Sequence, residues 1–472
     1  MNDTSVIILA AGKGTRMGED YPKVLARSDE GELLRILLTE VLKTNFAEIV
    51  LVIGFQAERV KEFVESRFHD PRIKFVLQNE QLGTGHALKL GFDSLSPVEH
   101  VLVLLGDVPL VSTDSMHRLV NYYKAKNLSA CFYSMLVYEQ NEYGRVIRDT
   151  YSGNVLSIEE YKHCSSAQKL IREVSTGVFV FEYSALSEVY KETYEYIMSA
   201  CQSRGIEFYL PLLLEVFASK GMLFDALLSE DSDEFVGVNK KDELFHLNRV
   251  LAKRRIRRLR EKGVVIPFPE TVFVSPSSNI SPGSLIGPNT LFLGENVVDR
   301  AKVLGFSVIE NTELRENSVV MHFSHLCGAF VGKNSRVGPF ARLREGTKID
   351  EEASIGNFVE LKNARISRGV KANHLAYLGD CSIGERTNVG AGVIFCNYDG
   401  VKKNFTEVGN ECFIGSNVNL IAPIKVGNRV IIGAGTTVDK DVPDESLVVG
   451  RPDLKFVLNS YAKYFASKKS EC

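Results

Sequence analysis

The sequence predicts an α/β protein with two halves: a doubly wound, Rossmann-like N-terminal domain and a C-terminal parallel β-helix of hexapeptide repeats. Up to about residue 240, short aliphatic runs alternate with amphipathic helical segments, which is the pattern of βαβ units. From about residue 270, aliphatic residues recur at every sixth position, which is the period of a β-helix coil. Of the 37 glycines, 21 fall between residues 264 and 450, where the turns of such coils need small residues.

Three aliphatic runs predict the buried parallel strands of the N-terminal domain. They occupy residues 6–10, 49–53 and 101–105, and each is followed within two residues by glycine. Strands that are aliphatic throughout are covered by helices on both faces of the sheet. Residues 33–45 and 58–68 have the helical spacing that this requires. An open sheet of this kind binds ligands at the carboxyl ends of its strands.

Residues 241–262 read as one continuous helix that ends at Gly263, with Pro267 shortly after it. The second half of this helix is strongly basic and could bind nucleic acid or an acidic membrane. A solvated linker helix is the better interpretation, because cations stabilise the C-terminal end of a helix. The predicted divisions are therefore a domain over 1–240, a linker helix over 241–263, a β-helix over 264–456 and a tail over 457–472.

Two runs of aliphatic residues carry the six-residue period without a gap. The first run comprises Val331, Val337, Leu343, Ile349, Ile355 and Leu361. The second comprises Val408, Ile414, Leu420, Val426, Ile432 and Val438. Each aliphatic residue is expected to point into the coil, and stacked coils bury a continuous core that a single coil could not form.

Composition excludes several classes of protein. The 472 residues carry a formal net charge of −3, which argues against a dedicated nucleic-acid binder. No stretch approaches the roughly 20 apolar residues of a membrane span. The eight cysteines form no CxxC pair, so reduced thiols are expected rather than a zinc or redox site. A soluble cytoplasmic protein is the resulting prediction.

A glycine-rich loop follows the first predicted strand. Residues 9–18 place Gly12, Gly14 and Gly18 where the backbone can approach a phosphate. Arg16 and Lys23 add the positive charge that a triphosphate requires. The spacing matches neither the GxGxxG nor the GxxxxGK[ST] motif, so neither a dinucleotide fold nor a P-loop ATPase is supported. Taken alone, the loop could also be only a tight turn.

Two further segments sharpen this interpretation. Residues 78–87 join a strand to a helix, and Gln78 and the loop amides there are available to read a base. Asp107 ends the strand at 101–105, where a carboxylate suits Mg²⁺. A helix-capping role for Asp107 remains open. His86 is expected to be structural.

Polar clusters interrupt the coil pattern of the C-terminal half. Arg344 and Lys362 suit a sugar phosphate, and Asn397 and Tyr398 suit the sugar itself. His374 is the natural general base, because an imidazole can take up a proton near neutral pH. A single histidine in a repeat can also be structural, so both roles stay open on the residues alone.

The HxxH pair of His322 and His325 could suggest a metal site. No third ligand follows at a matching spacing, so an ordinary loop position is expected for both histidines.

Together these motifs resemble the sugar-1-phosphate nucleotidyltransferases. With the hexapeptide half added, nearly the whole chain is similar to the bacterial bifunctional family of N-acetylglucosamine-1-phosphate uridylyltransferases and glucosamine-1-phosphate acetyltransferases. The resemblance implies a left-handed β-helix, acetylation of glucosamine-1-phosphate by acetyl-CoA, and then uridylyl transfer from UTP with release of pyrophosphate. It also implies a role in the synthesis of peptidoglycan and lipopolysaccharide precursors.

The resemblance assigns roles to residues of the N-terminal half. It implies Mg²⁺ bound by Asp107 and Asn239, and N-acetylglucosamine held by Gly144 and Glu160. The residues implied to bind UTP or the UDP-sugar are Leu9, Ala10, Gly12, Arg16, Lys23, Gln78, Gly83, Thr84, Gly144, Glu160, Ser175 and Asn239.

In the C-terminal half the resemblance makes His374 the base that deprotonates the amine of glucosamine-1-phosphate. The residues implied to bind the sugar phosphate are Arg344, Lys362, Tyr377 and Asn388. Those implied to bind acetyl-CoA are Asn397, Tyr398, Ser416, Ala434 and Arg451, of which Asn397 also matches a sugar-contact position. The family's acetyl-CoA sites lie between subunits, so a homotrimer is implied.

The sequence departs from the family pattern at three places. Ser175 stands where the family usually has asparagine, and Leu105 stands where tyrosine is common. Residues 27–33 also differ. None of these changes removes a phosphate or metal group, so they bear on sugar preference rather than on nucleotidyl transfer.

Two alternatives remain besides a bifunctional enzyme. One is a nucleotidyltransferase whose β-helix only assembles or regulates it, against which His374, Lys362 and Asn397 argue. The other is a non-catalytic scaffold, against which the retained Lys23 and Asp107 argue.

Overall fold

The computed structural model describes residues 1–14, 21–139, 141–451 and 453–461. The chain forms two compact units, Met1–Leu251 and a second unit that begins at Ala252. The predicted fold class is confirmed, because the first unit is built on an open α/β sheet and the second on a coil of short parallel strands. Arg16 and Gly18 of the glycine-rich loop lie outside the described residues.

The elements of the first unit alternate between strand and helix. Its strands are β1 Thr4–Ala10, β2 Arg27–Ser28, β3 Gly31–Glu32, β4 Ile49–Ile53, β5 Ile73–Leu77, β6 His100–Leu105, β7 Ala130–Leu136, β8 Arg145–Arg148, β9 Val155–Glu159, β10 Glu173–Glu182 and β11 Phe224–Leu228. Its helices are α1 Leu33–Val41, α2 Ala57–Glu65, α3 Thr84–Asp93, α4 Thr113–Ala125, α5 Tyr183–Arg204 and α6 Leu212–Ser219. Helix α7, Lys241–Glu261, runs from this unit into the second.

The main sheet has the order β11-β7-β10-β6-β1-β4-β5, and the β8–β9 hairpin joins it through β10. Strands β5, β4, β1 and β6 are parallel to one another. After β1 the chain adds β4 and β5 on one side and then returns to place β6 on the other. This reversal opens a crevice where β1 and β6 end, which is where sheets of this kind bind ligands.

The aliphatic strands are buried because both faces of the sheet are covered. In β1, Val6 and Ile8 pack against residues of α1, α2 and α4. Ile7 and Leu9 point to the other face and pack against α3, α5 and α6. The strands predicted at 6–10, 49–53 and 101–105 and the helices predicted in 33–45 and 58–68 are confirmed.

The second unit consists of strands of two or three residues and two long ones. They are β12 Phe273–Val274, β13 Asn279–Ile280, β14 Leu285–Ile286, β15 Leu291–Leu293, β16 Val297–Val298, β17 Lys302–Val303, β18 Val308–Glu310, β19 Glu313–Leu314, β20 Val319–Val320, β21 His325–Cys327, β22 Phe330–Val331, β23 Arg336–Val337, β24 Arg342–Leu343, β25 Lys348–Ile349, β26 Ser354–Ile366, β27 Lys371–Ile383, β28 Asn388–Val389, β29 Ile394–Cys396, β30 Thr406–Val408, β31 Phe413–Ile414, β32 Asn419–Ile421, β33 Ile424–Val426, β34 Ile431–Ile432, β35 Thr437–Val438 and β36 Leu447–Val448.

Most short strands pair in parallel with the third strand after them, so three strands complete one coil. Leu314, for example, is in register with Val331, and Val331 with Ile349. All twelve residues of the two hexapeptide runs are buried in one continuous core. The six-residue period therefore identified the inward positions correctly, because the aliphatic residue of each repeat meets its counterparts on neighbouring coils.

Helix α7 ends close to the predicted position, and Gly263 follows it with a φ of 94°. A left-handed φ of this kind suits glycine just past a helix end. No helix among the described residues is long and apolar enough to cross a membrane.

Candidate functional sites

The described start of the glycine-rich loop, up to Gly14, follows β1 at the crevice where β1 and β6 end. The amide of Gly106 donates to the Leu9 carbonyl (2.9 Å), which joins the two strand ends directly. Gly14 has a φ of 66°, and a Cβ there would lie 2.7 Å from Cβ of Lys23. Among the described residues, no atom lies within 4 Å of a Cβ placed on Gly12. The loop at Gly14 thus packs on the stem of Lys23.

Three predicted residues converge at this crevice. The Lys23 ammonium donates to Asp107 Oδ2 and to Asn239 Oδ1, the latter at 2.5 Å. The amide of Val238 donates to the Asp107 carbonyl (2.9 Å), which ties the segment before α7 to the end of β6. A carboxylate oxygen and an amide oxygen therefore face one cation. Hard oxygen ligands of this kind fit Mg²⁺, so the residues present suit the predicted metal.

The turn before α3 brings Gln78, Gly83 and Thr84 together. Gln78 is only 3% exposed, and its Nε2 donates to the Gly83 carbonyl (3.2 Å). Gly83 has a φ of 114°, and a Cβ would meet the Phe208 carbonyl oxygen at 2.3 Å. The Thr84 hydroxyl accepts from the Leu210 amide (2.9 Å). The amide group of Gln78 thus holds the turn itself, a role that its sequence position did not reveal.

His86 follows this turn, with Nδ1 3.1 Å from Gln78 Nε2. Burial lowers the pKa of His86. This position agrees with the structural role expected for it.

Strands β8 and β10 bring Gly144 and Ser175 into contact. The buried Ser175 donates its amide to the Gly144 carbonyl (2.9 Å). Arg145 is in register with Glu159, which brings the adjacent Gly144 and Glu160 to the same end of the β8–β9 hairpin. Burial raises the pKa of Glu160. A carboxylate with poor access to water is a strong acceptor for a ligand hydroxyl.

Leu105 lies against Gly177. A Cβ on Gly177, which has a φ of 81°, would lie 2.2 Å from Leu105 Cδ1. The leucine therefore fills the space that this glycine leaves, two residues from Ser175. The two departures from the family pattern thus lie on adjacent strands, Leu105 at the end of β6 and Ser175 on β10.

In the second unit, β26 and β27 bring the polar clusters side by side. Asn357 is in register with His374, and Lys362 with Gly379. Asn357 Oδ1 lies 3.2 Å from His374 Nδ1. If Nδ1 carries the proton in that hydrogen bond, Nε2 is left as the basic nitrogen of the exposed His374.

Tyr377 and Asn397 form a second cluster on the same coils. Asn397 is 4% exposed, and its Nδ2 lies 3.4 Å from the Tyr377 hydroxyl. A Cβ on Gly379 would lie 2.6 Å from that hydroxyl and 2.7 Å from Asn397 Nδ2. Gly379 is therefore the residue that allows these two side chains to meet.

The chain matches known proteins over each half and over its length. Residues 6–175 match the family model of the MobA-like NTP transferase domain, and residues 405–440 match the bacterial transferase hexapeptide repeats. The bifunctional protein GlmU of Acidithiobacillus ferrooxidans is 36% identical over 449 residues, which cover 95% of this chain and 96% of the relative. The chain belongs to the GlmU family.

Other GlmU proteins match as fully. That of Nitratidesulfovibrio vulgaris is 37% identical over 453 residues, covering 95% of this chain and 96% of the relative. That of Staphylococcus haemolyticus is 36% identical over 454 residues, covering 95% and 97%. The resemblance drawn from the motifs is confirmed. As a GlmU-type enzyme, the chain is a bifunctional transferase with uridylyltransferase and acetyltransferase activities.

The remaining predicted residues of the GlmU acetyl-transfer half lie further along the β-helix. The amide of Gly435 donates to the Ser416 carbonyl (2.8 Å), which places Ser416 and the adjacent Ala434 on successive coils at one corner. Tyr398 donates its hydroxyl to the Gly400 carbonyl (2.6 Å), and Arg344 pairs with Glu360 (3.0 Å). Asn388, on β28, is half-buried, and Arg451 is exposed after β36.

His322 and His325 are both exposed. Among the described residues they belong to no group of three metal-ligating side chains. His322 lies in a turn, as expected, whereas the loop position expected for His325 is wrong, because His325 is the first residue of β21.

Two residues that hold these GlmU sites together were not assigned a role from the sequence. Glu243 accepts from the amides of Asn239 (2.5 Å) and Lys240 (3.0 Å). A glutamate in the first turn that accepts from the amide before the helix is half of a capping box, and this spacing is readable in the sequence. Asp380, which accepts from Asn397 Nδ2 (2.6 Å), follows Gly379 directly and carries no such signal.

Proposed function

We propose that the crevice of the first unit transfers a uridylyl group from UTP to N-acetylglucosamine-1-phosphate. The convergence of Lys23, Asp107 and Asn239 at the ends of β1 and β6 carries this assignment. The backbone at Gly12, where no described atom lies within 4 Å of an added Cβ, suits the triphosphate. Gly83 and Thr84 suit the nucleoside. Gly144, Glu160 and Ser175 suit the sugar.

The transfer needs no protein nucleophile. An oxygen of the sugar phosphate attacks the α-phosphorus of UTP, and the bond from that phosphorus to the bridging oxygen of pyrophosphate breaks. Asp107 and Asn239 would hold Mg²⁺, which neutralises phosphate charge when bound. Lys23 supplies a second positive charge, and the tight turns at Gly14 and Gly83 keep both phosphate and base in place.

We propose that the second unit acetylates glucosamine-1-phosphate with acetyl-CoA. The His374 imidazole takes a proton from the substrate amine, whose nitrogen attacks the thioester carbonyl. The carbon–sulfur bond then breaks, and the coenzyme thiolate leaves. Asn357 supports this role because its oxygen faces Nδ1, and a proton on Nδ1 leaves Nε2 as the basic nitrogen. The cations Arg344 and Lys362 suit the sugar phosphate, and Tyr377 and Asn388 suit the sugar.

We propose that acetyl-CoA lies against Asn397, Tyr398, Ser416, Ala434 and Arg451, with neighbouring subunits of a homotrimer sharing the site. A row of exposed phenylalanines, the phenylalanine ladder, supports assembly. It comprises Phe306, Phe323, Phe340 and Phe358, which are 45–57% exposed with successive ring centroids 5.2, 5.0 and 5.3 Å apart.

The ladder occupies corner positions where φ lies between 52° and 58°. Bulky residues rarely adopt this conformation, whereas glycine and asparagine adopt it at little cost. Half-exposed aromatic side chains at four such corners offer about 400 Å² of apolar surface. Leu375, beside His374, is likewise exposed with a positive φ. A second copy of the chain that covers these side chains would bury apolar surface next to the acetyl-transfer site.

A cytoplasmic location fits these roles. The described cysteines are all free, as expected where thiols stay reduced.

Separate assays of the two half-reactions test these assignments. Asp107→Asn should abolish pyrophosphate release from UTP and leave acetyl transfer intact, while His374→Ala should do the opposite. Acetyl transfer that survives His374→Ala would contradict the base assignment. If the wild-type protein formed no acetylated product at all, the second unit would be an assembly module rather than an acetyltransferase.

A further inference from the structure

The Lys23 ammonium lies between the two oxygens proposed to hold the metal ion. It donates to Asp107 Oδ2 and to Asn239 Oδ1 (2.5 Å) at the same time. The side chains of Lys23 and Asp107 are only 12% and 19% exposed, so water screens this arrangement poorly. An ammonium and a divalent ion cannot share these two oxygens, because like charges repel strongly at such distances.

The backbone of Lys23 is held in place, so an ammonium that leaves the two oxygens does so by side-chain rotation. Its backbone is part of a short 3-10 helix over Lys23–Leu25 that follows Pro22. Its Cβ packs against Gly14, where an added methyl group would lie 2.7 Å away. A rotation of the lysine side chain can therefore carry its ammonium off the two oxygens while its backbone stays in place. The proposed triphosphate would supply anionic partners for the displaced ammonium.

We infer that Lys23 is a displaceable counter-ion that blocks the metal site until the nucleotide binds. This inference rests on the uridylyltransferase site proposed above. Without nucleotide, Lys23 neutralises Asp107 and excludes a divalent ion. With nucleotide, Lys23 exchanges the carboxylate for phosphate oxygens, and Asp107 and Asn239 become available together. This exchange of partners by Lys23 makes binding of the metal ion depend on binding of the nucleotide phosphates.

Binding of Mn²⁺ to the full-length protein without nucleotide tests the inference. The free ion can be followed by its electron paramagnetic resonance signal at fixed ionic strength. Lys23→Met keeps the length of the side chain and removes the charge, so it should bind Mn²⁺ at least about tenfold more tightly than the wild type. Lys74→Met is the matched control, because Lys74 pairs with Glu48 (2.7 Å) outside the crevice. It should leave Mn²⁺ binding unchanged.

Asp107→Asn separates failure of this inference from failure of the proposed metal site. If Mn²⁺ binding is lost on Asp107→Asn but is not tightened by Lys23→Met, the metal site stands and the counter-ion role of Lys23 is overturned. If Asp107→Asn leaves Mn²⁺ binding unchanged in both the wild-type and the Lys23→Met background, the proposed metal site itself is wrong. If Lys74→Met tightens Mn²⁺ binding equally, the effect comes from the overall charge of the protein, and the inference is overturned.

Discussion

Asp380 accepts a hydrogen bond of 2.6 Å from the side-chain amide of Asn397, which lies on the next coil of the β-helix. Its other carboxylate oxygen accepts from Asn363 Nδ2 (2.9 Å) on the preceding coil. Asp380 is 9% exposed. A single buried carboxylate thus fixes amides on both sides of it, and one of them reaches the Tyr377 hydroxyl at the proposed acetyl-transfer site.

We expect Asp380→Asn to impair acetyl transfer selectively. One acceptor becomes a donor that faces an amide donor, and a hydrogen bond to a charged group contributes about 1.5–3 kcal/mol. The rate of acetyl transfer should fall about tenfold to a hundredfold, while uridylyl transfer stays unchanged. Asp439→Asn, at an exposed position of the same β-helix, is the control. Equal acetyl transfer in both variants would show that Asn397 does not depend on Asp380.

The sequence predicted which residues form the core but not these polar contacts. The six-residue period identifies the inward residues because every coil repeats the same burial. The contacts between coils depend on coil length, and that length varies. Val331 is in register with Ile349, 18 residues on, whereas Cys381 is in register with Thr406, 25 residues on. A partner for Asp380 therefore could not be read from a fixed spacing.

In the crevice of the first unit, too, some residue positions could be predicted from the sequence and others could not. The prediction that Asp107 lies at the ligand-binding edge of the sheet followed from its place after a parallel strand, because the carboxyl ends of such strands share one edge. Asn239 is different because it lies in a loop before α7 and not at a strand end. Its place was predicted only through the family resemblance. The position of the Lys23 ammonium on both oxygens is a property of side-chain packing and had no sequence signal.

Asn357 offers a test of how His374 is oriented. Asn357→Ala removes the contact to Nδ1, and one neutral hydrogen bond contributes about 1 kcal/mol. We expect kcat for acetyl transfer to fall about fivefold, with little change in KM for acetyl-CoA. Asn357→Asp should instead move the acid limb of the pH profile to higher pH, because a carboxylate beside Nδ1 favours the imidazolium. A fall in kcat in both variants with no movement of the profile would indicate a purely structural role for Asn357.

The phenylalanine ladder predicts a defect in assembly. Replacing Phe323 and Phe340 together by serine removes the two central rings, which are 52% and 47% exposed. We expect the double variant to shift toward monomer in light scattering and to lose acetyl transfer while it keeps uridylyl transfer. Phe413→Ser is the control, because Phe413 is 53% exposed but lies off the ladder. A wild-type protein that is already monomeric would contradict the shared site.

Glu160 predicts a pH-dependent stability. Burial raises the pKa of Glu160 in the folded protein, so folding opposes its ionisation. The folded state then binds more protons than the unfolded state, and stability falls as the pH rises from the ordinary glutamate pKa of about 4.3 to the raised value. Glu160→Gln removes this penalty. The variant should have a higher denaturation midpoint than the wild type at neutral pH and an equal one below about pH 4.

The same substitution should raise KM for N-acetylglucosamine-1-phosphate at neutral pH, because a neutral amide is a weaker acceptor for a sugar hydroxyl than a carboxylate. Glu215, on α6, is the matched control, since burial raises its pKa as well. Glu215→Gln should reproduce the gain in stability without the change in KM. If both variants raise KM equally, the effect comes from packing and Glu160 does not bind the sugar. If Glu160→Gln is no more stable than the wild type at neutral pH, ionisation of the Glu160 carboxyl does not destabilise the folded protein.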